Sequence, residues 1–159
     1  MAGQARRSES LACRVNDGRH VSKRPTPFAD RLADDLFIKL HLLALKHFPE
    51  FERFELGKQL RRAAYSVPAN IVEGFARRSL KSRLNFLNTA EASLAEVGYC
   101  IHAARRLGYI TDDMARELEK DVNGVGAPLA GLVRSTRTDL TVSVLSAVVA
   151  VSIAAWFAA

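Results

Sequence analysis

The chain has 159 residues, of which 48% are hydrophobic and 25% are charged. This length and composition favour one globular domain with short appended segments over a disordered or fibrous chain. The two cysteines, Cys13 and Cys100, are too few and too far apart for a disulfide framework or a metal motif. Because the N-terminus carries arginines without an apolar core region, a secretory signal is not predicted.

The net charge of +6 is unevenly distributed along the chain. Residues 53–106 hold ten Lys and Arg against four acidic residues, and residues 1–27 hold six against two. Residues 28–52 and 107–139 are acidic instead, each with a balance of −2. This asymmetry indicates an anionic partner. A solvated basic face without a partner explains the charge equally well.

The first 27 residues are polar and basic, lack periodicity and end in Pro25-Thr26-Pro27, which predicts a disordered basic leader. A helical pattern begins at Phe28 and ends at Phe48-Pro49. The residues spaced along one face of this first helix are Leu32, Leu36, Leu40, Leu43 and His47.

Three further helices follow. The second is predicted from about Arg53 to Phe75, and the third from an N-cap at Ser79 to a glycine C-cap at Gly108. Thr111 or Asp112 is expected to cap the fourth, in which Gly124, Gly126 and Pro128 predict a kink or a break. Four amphipathic helices joined by short turns, with no strand signal, predict an all-α antiparallel up-down four-helix bundle over residues 28–139.

The stretch at residues 140–159, LTVSVLSAVVAVSIAAWFAA, has no charged residue and follows Arg134 and Arg137. Twenty helical residues span about 30 Å, the thickness of a bilayer core. This apolar C-terminal tail helix therefore fits a membrane anchor that holds the bundle on the cytoplasmic side. The alternatives are a terminal helix buried on the bundle and a tail that packs between subunits.

Patterns of catalysis are absent from the sequence, which has no phosphate-binding glycine loop, no HExxH, no CxxC and no nucleophile elbow. His41 and His47 lie six residues apart on the first helix, which puts them on different faces and not at metal-ligand spacing. Cys100 fits a small buried apolar residue better than a nucleophile. No enzyme, no metal site and no cofactor are predicted.

A basic surface on the second and third helices is the strongest candidate site, because guanidinium groups bind phosphates through forked hydrogen bonds. Since the two helices are antiparallel, the basic residues are expected at both ends of the pair. The predicted nucleic-acid-binding residues are Arg61, Arg62, Arg77, Arg78, Lys81, Arg83, Arg105 and Arg106.

The second helix also contains a predicted structural joint. Pro68 lacks an N–H and clashes with the carbonyl of Ala64, so the helix is expected to bend there. Ser66 and Asn70 are placed to bond the backbone groups that the bend frees. Asn70 and Glu73 are expected to reach a neighbouring helix or subunit and to fix the register of the bundle.

The stretch QLRRAAYSVPANIVEGFARRS at residues 59–79, with Phe86-Leu87, Ala92-Ser93-Leu94 and Leu107-Gly108-Tyr109-Ile110, resembles a bacterial family. These four-helix bundle proteins were first noticed as products of intervening sequences in large-subunit ribosomal RNA genes. The resemblance covers about residues 30–137. It implies a four-helix bundle that assembles into a ring, which in related members is a homopentamer with a basic surface.

The same resemblance implies partners. The family includes the accessory variability determinant of diversity-generating retroelements, which binds nucleic acid and a reverse transcriptase. The leading hypothesis is therefore a non-enzymatic, homo-oligomeric bundle that binds RNA or DNA, with a reverse transcriptase as a further partner. The alternative is a structural interaction module, tethered to the inner face of the membrane by its tail, whose arginines pair with acidic helices of neighbouring subunits.

Overall fold

The computed structural model of the protein describes residues 28–158, so the predicted leader lies outside the described residues. Four α-helices and one short 3-10 helix make up this region: α1 (Phe28–His47), the 3-10 helix (Phe51–Arg53), α2 (Leu56–Ala76), α3 (Leu80–Arg106) and α4 (Asp112–Ala158). Each helix packs on the next along the chain, and α4 returns to pack on α1. The predicted all-α four-helix bundle is confirmed.

The core is lined by large aliphatic residues from all four helices. Those that are almost completely buried include Leu40, Leu60, Ile71, Leu87, Ile101, Leu118 and Leu129. On α1 the prediction was partly wrong, because His47 is exposed and three small residues share the core face with Leu36 and Leu40. These are Ala29, Ala33 and Ala44. Small side chains at these positions let α1 approach its neighbours closely.

The second helix begins later than predicted, at Leu56 and not at Arg53. Two backbone N–H groups, those of Glu52 and Arg53, bond to the Pro49 carbonyl and form the 3-10 helix instead. The Glu52 carboxylate then accepts a bond from the Leu56 N–H at 3.2 Å and another from the Tyr109 hydroxyl at 3.0 Å. One side chain thus caps α2 and ties it to the connection between α3 and α4.

The predicted caps of α3 and α4 are confirmed. Ser79 Oγ accepts a bond from the Ser82 N–H, and Thr111 Oγ1 accepts one from the Met114 N–H. Gly108, at the end of α3, has φ +77°, a left-handed conformation that side chains disfavour. The ring of the following Tyr109 lies 5.6 Å from that of Phe48, which anchors the turn to the bundle.

A kink or a break was predicted near Gly124 and Pro128; the break is not found, since α4 is one helix from Asp112 to Ala158, and the kink stays a prediction. Neighbouring packing accounts for this continuity: a Cβ added to Gly126 would lie only 3.6 Å from Leu94, so α3 supports α4 at this point. Beyond Leu140 every described side chain of α4 is exposed. By length and composition, α4 could cross a membrane: an 18-residue stretch of it has a mean hydropathy of 1.8, and no residue of that stretch is buried.

Candidate nucleic-acid interface

The eight predicted basic residues occupy two sites at opposite ends of the α2–α3 pair. Arg77, Arg78, Lys81 and Arg83 surround the connection between the helices and are named here the turn group. Near the start of α2 and the end of α3 lie Arg61, Arg62, Arg105 and Arg106, named the far group. Fourteen helical steps lead from Arg62 to the end of α2 at Ala76, next to the turn group, which corresponds to about 21 Å along the helix axis.

Two arginines of the turn group hold the helices together. The Arg77 guanidinium lies 4.7 Å from the centre of the Phe86 ring, and the Arg83 guanidinium lies 5.0 Å from that of Phe75. Each arginine thereby contacts an aromatic ring of the opposite helix. Gly74 allows this approach, because a Cβ there would lie 3.2 Å from the Cβ of Phe86.

In the far group, two arginines are also engaged within the chain. Arg61 is half-buried, and its Nη2 donates to the carbonyl oxygen of Arg53 at 2.8 Å, which joins α2 to the 3-10 helix. The Nε of Arg105 lies 3.8 Å from a carboxylate oxygen of Asp112, at the start of α4. These contacts reduce the share of the far group that is available to a ligand.

Of the eight predicted basic residues, four are exposed and make no ion pair within residues 28–158: Arg62, Arg78, Lys81 and Arg106. Arg62 also lines a groove of about 290 Å³ between α2 and α3, together with Gln59 and Glu96. These four side chains form the part of the basic surface that is free to contact phosphate.

The antiparallel register of α3 and α4 brings further charge to the turn group. Arg105 faces Asp112 at one end, and Leu94 faces Gly126 midway. Continued residue for residue, this register places Leu80, the first residue of α3, beside Leu140 of α4. Arg134 and Arg137 therefore lie at the same end of the bundle as the turn group.

Acidic residues lie at both ends of the bundle. Glu52, Glu55, Asp112 and Asp113 lie at the far end, where the 3-10 helix and α4 begin. At the turn end, Asp30 and Asp34 lie near the start of α1 and Glu73 near the end of α2. Negative charges therefore offset part of each basic group.

The predicted joint residues interact mainly within α2. The Asn70 Nδ2 donates to the carbonyl oxygen of Ser66 at 2.7 Å and to its hydroxyl at 2.9 Å. A bond of 2.8 Å from the Ser93 hydroxyl to the Ser66 hydroxyl connects this pair to α3. The cross-helix partner of the joint is therefore Ser93, which the sequence analysis did not single out.

Glu73 forms an ion pair with Arg77 one turn ahead and Asn70 bonds to Ser66, and no hydrogen bond or ion pair joins either residue to another helix within residues 28–158. Contact with a second subunit stays a prediction. Pro68 is buried within α2, which continues as a helix through it, and the bend at this residue stays a prediction as well.

Next to the joint, α1 and α2 form a groove of about 610 Å³. Its lining combines three carboxylates, one guanidinium group and apolar side chains: Asp30, Asp34, Glu73, Arg31, Phe37, Tyr65 and Val72. Burial, and then the neighbouring Asp34 carboxylate, raises the pKa of Asp30 above its usual range. A positive side chain entering this groove would relieve that repulsion.

Within residues 28–158, no group of three His, Cys, Asp or Glu side chains is placed to hold a metal ion. Cys100 lies in the core, and burial raises the pKa of its thiol to about 11. Because the thiolate is the nucleophile, this shift makes Cys100 a poor reactive group in the folded protein.

Cys100 is consequently expected to react slowly with iodoacetamide at pH 8. A rise from the ordinary value of 9.0 to about 11 lowers the thiolate fraction about 100-fold, and burial slows access further. The rate constant at this residue should rise at least 100-fold in denaturant, as mass spectrometry of tryptic peptides would measure. Cys13 provides a second thiol in the same sample. Equal rates for folded and unfolded Cys100 would contradict the assignment.

The fold and its charged ends define a small all-helical bundle protein with a basic surface. The family model for the 23S rRNA-intervening sequence protein matches residues 31–131, and the chain belongs to this family. A crystal structure of a protein of unknown function from the S23 ribosomal protein family of Bacteroides thetaiotaomicron is similar, with a TM-score of 0.63. The two are 23% identical, over 67% of this chain and 95% of that one, which shows a common fold. No curated protein matches the chain.

Proposed function

We propose that the protein is a non-enzymatic, homo-oligomeric bundle that binds RNA or DNA through the basic surface of α2 and α3. The observation that carries the proposal is that four of the eight predicted basic residues of α2 and α3 are exposed and make no ion pair within the described region: Arg62, Arg78, Lys81 and Arg106. They lie at both ends of one helix pair. A nucleic acid strand that follows this face would place about six phosphates between the two ends.

Family membership supports the same proposal, because the family is named after an intervening sequence of 23S rRNA. A scaffold that carries phosphate contacts and lacks base-reading elements binds without sequence preference. An accessory role beside a reverse transcriptase belongs to this proposal. Co-purification of the two proteins with and without nuclease tests that part.

Self-association is supported by a second apolar stripe on α1. Ile38, Leu42 and Leu45 recur at spacings of four and three on the side that faces away from the core, and they are 49%, 60% and 42% exposed. Tyr65 and Val72 extend the exposed apolar surface onto α2. Exposed apolar residues on two neighbouring helices of a bundle are typical of an interface. The acidic groove beside it fits a basic side chain of a second copy.

The interface prediction is tested by charge on this stripe. We expect Ile38→Glu with Leu42→Glu to reduce the assembly to monomers, because each carboxylate would be desolvated in the interface. Molecular mass by light scattering, on the full-length chain in mild detergent, gives the result. Glu119→Gln, which changes an exposed residue of α4, is the control. An unchanged mass of the double variant would place the interface elsewhere.

Nucleic-acid binding is tested by a salt titration. The logarithm of the binding constant for a single-stranded RNA should fall linearly with the logarithm of salt concentration, by about 0.7 per phosphate contact. Fluorescence anisotropy between 50 and 200 mM salt measures the slope. If the protein does not bind either RNA or DNA with salt dependence, the proposal fails and the structural interaction module is favoured.

A further inference from the structure

The last part of α4 extends beyond the bundle. Leu140 is half-buried, whereas residues 141–156 are all exposed. With a rise of 1.5 Å per residue, the segment from Leu140 to Ala158 is about 28 Å long. This length matches the hydrocarbon core of a bilayer, and it contains no charged residue.

Three of the four hydroxyl groups of this segment are bonded to the α4 backbone. Thr141 donates to the Arg137 carbonyl at 3.0 Å, Ser146 to that of Val142 at 2.9 Å and Ser152 to that of Val148 at 3.0 Å. A lipid environment requires polar groups to be satisfied within the helix, and these bonds meet that requirement for three of the four hydroxyls.

No side of the segment is polar. At 100° per residue, Thr141 and Ser152 lie on one side of the helix, and Ser143 and Ser146 lie nearly opposite. A helix that packed on the bundle surface, or lay in the plane of a membrane interface, would have one polar stripe that faces water. An apolar surface all round fits a bilayer better than a single protein neighbour.

The apolar segment leaves the bundle at its basic turn end, which is a second indication of membrane contact. The register of α3 and α4, extended from the Arg105–Asp112 and Leu94–Gly126 contacts, places Leu140 at the end that carries the turn group. Arg134 and Arg137 lie one to two turns earlier on α4. Phe28, to which the basic leader is joined, begins α1 at this same end. At the other end of the segment, Trp156 lies where aromatic residues favour a membrane interface.

We propose that residues 140–158 span a bilayer and that the turn end of the bundle faces its anionic lipid headgroups. The contacting side chains are Arg78 and Lys81 from the α2–α3 connection and Arg134 and Arg137 from α4. Because α4 is continuous, the bundle stands directly on the membrane surface without a flexible linker. The excess of arginine next to the span places the bundle on the cytoplasmic side.

This inference goes beyond the proposed function and shares Arg78 and Lys81 with it. Membrane contact occupies Arg78 and Lys81, while Arg62 and Arg106 at the far end stay accessible to nucleic acid. Binding of RNA by the detergent-solubilised protein therefore tests the proposed function, and vesicles without RNA test the inference.

The span is tested on the full-length protein, reconstituted by detergent removal into phosphatidylcholine vesicles. We expect the protein to stay with the vesicles in a flotation gradient after a wash at pH 11, and Trp156, the single tryptophan, to be quenched by brominated lipid acyl chains. Val148→Arg with Val149→Arg, in the middle of the span, should reduce the wash-resistant fraction at least tenfold. Removal of the unmodified protein by the wash, with Trp156 unquenched, would overturn the span.

The headgroup contact is tested by offering vesicles of phosphatidylcholine alone and vesicles with 30% phosphatidylglycerol at the same time. The protein should enter the anionic vesicles with at least a tenfold preference, which 0.5 M salt abolishes. Arg78→Gln, Lys81→Gln, Arg134→Gln and Arg137→Gln together should remove the preference. Arg62→Gln with Arg106→Gln, at the far end, should retain it. No preference in the unmodified protein, or its equal loss in both variants, would overturn the headgroup contact.

Discussion

Replacement of Leu40 by alanine is expected to lower the free energy of unfolding by about 2–5 kcal/mol. Leu40 has no exposed surface and lies in the core cluster that all four helices form. Truncation removes buried methyl groups and leaves a cavity that close-packed neighbours fill only partly. Urea denaturation of the full-length chain in mild detergent, followed by circular dichroism, measures the loss.

Leu42→Ala is a matched control for this prediction, because the same substitution falls two residues away on the same helix. Leu42 is 60% exposed, so its loss should change the stability of the monomer by no more than about 0.5 kcal/mol. Both variants should be compared at a protein concentration where light scattering gives the monomer mass. Equal effects of the two substitutions would mean that α1 presents a different face to the core.

Periodicity and capping were sufficient to predict most of the fold. The faces of α3 and α4 follow from aliphatic spacing, and Ser79, Gly108 and Thr111 mark helix ends through chemistry that is local to the chain. On α1, however, apolar residues occupy two faces. Spacing alone did not reveal that Ile38 and Leu42 point outwards, because packing against α2 and α4 selects the core face.

The start of α2 and the continuity of α4 depended on contacts distant in sequence. The Glu52 carboxylate, in the 3-10 helix, accepts one bond from the Leu56 N–H at the start of α2 and another from the Tyr109 hydroxyl, more than fifty residues later. Pro128 disfavours a helix locally, yet α3 supports the helix through the Gly126 position. In both cases tertiary packing overrides a local preference.

The positions of the candidate site residues were predicted from the sequence, but the contact that each residue makes was not. Antiparallel pairing of α2 and α3 placed the eight basic residues at two ends, as the structure shows. Their individual contacts were not predictable, because stacking of Arg77 and Arg83 on phenylalanine rings depends on the angle and separation of the helices. The arginines of this region therefore fall into two groups: some pack against aromatic rings between the helices, and others are exposed on the surface.

The exposed basic residues should carry nucleic-acid binding, and the engaged ones should not. Changing Arg62, Arg78, Lys81 and Arg106 to glutamine together is expected to weaken binding of single-stranded RNA by about two orders of magnitude at low salt. The slope of log binding constant against log salt should become shallower by about 3, since each lost phosphate contact removes about 0.7. Anisotropy with the detergent-solubilised protein measures both quantities.

Two double variants separate a local contact from a general effect of charge. Arg61→Gln with Arg83→Gln removes two charges, but these guanidinium groups bond to the Arg53 carbonyl and stack on Phe75. This pair should lower the unfolding free energy and change the slope by less than one contact. Arg62→Gln with Arg106→Gln removes the same charge from free side chains, and should lose about two contacts while stability is retained. If both pairs reduced the slope equally, binding would follow net charge, and the exposed residues would form no defined surface.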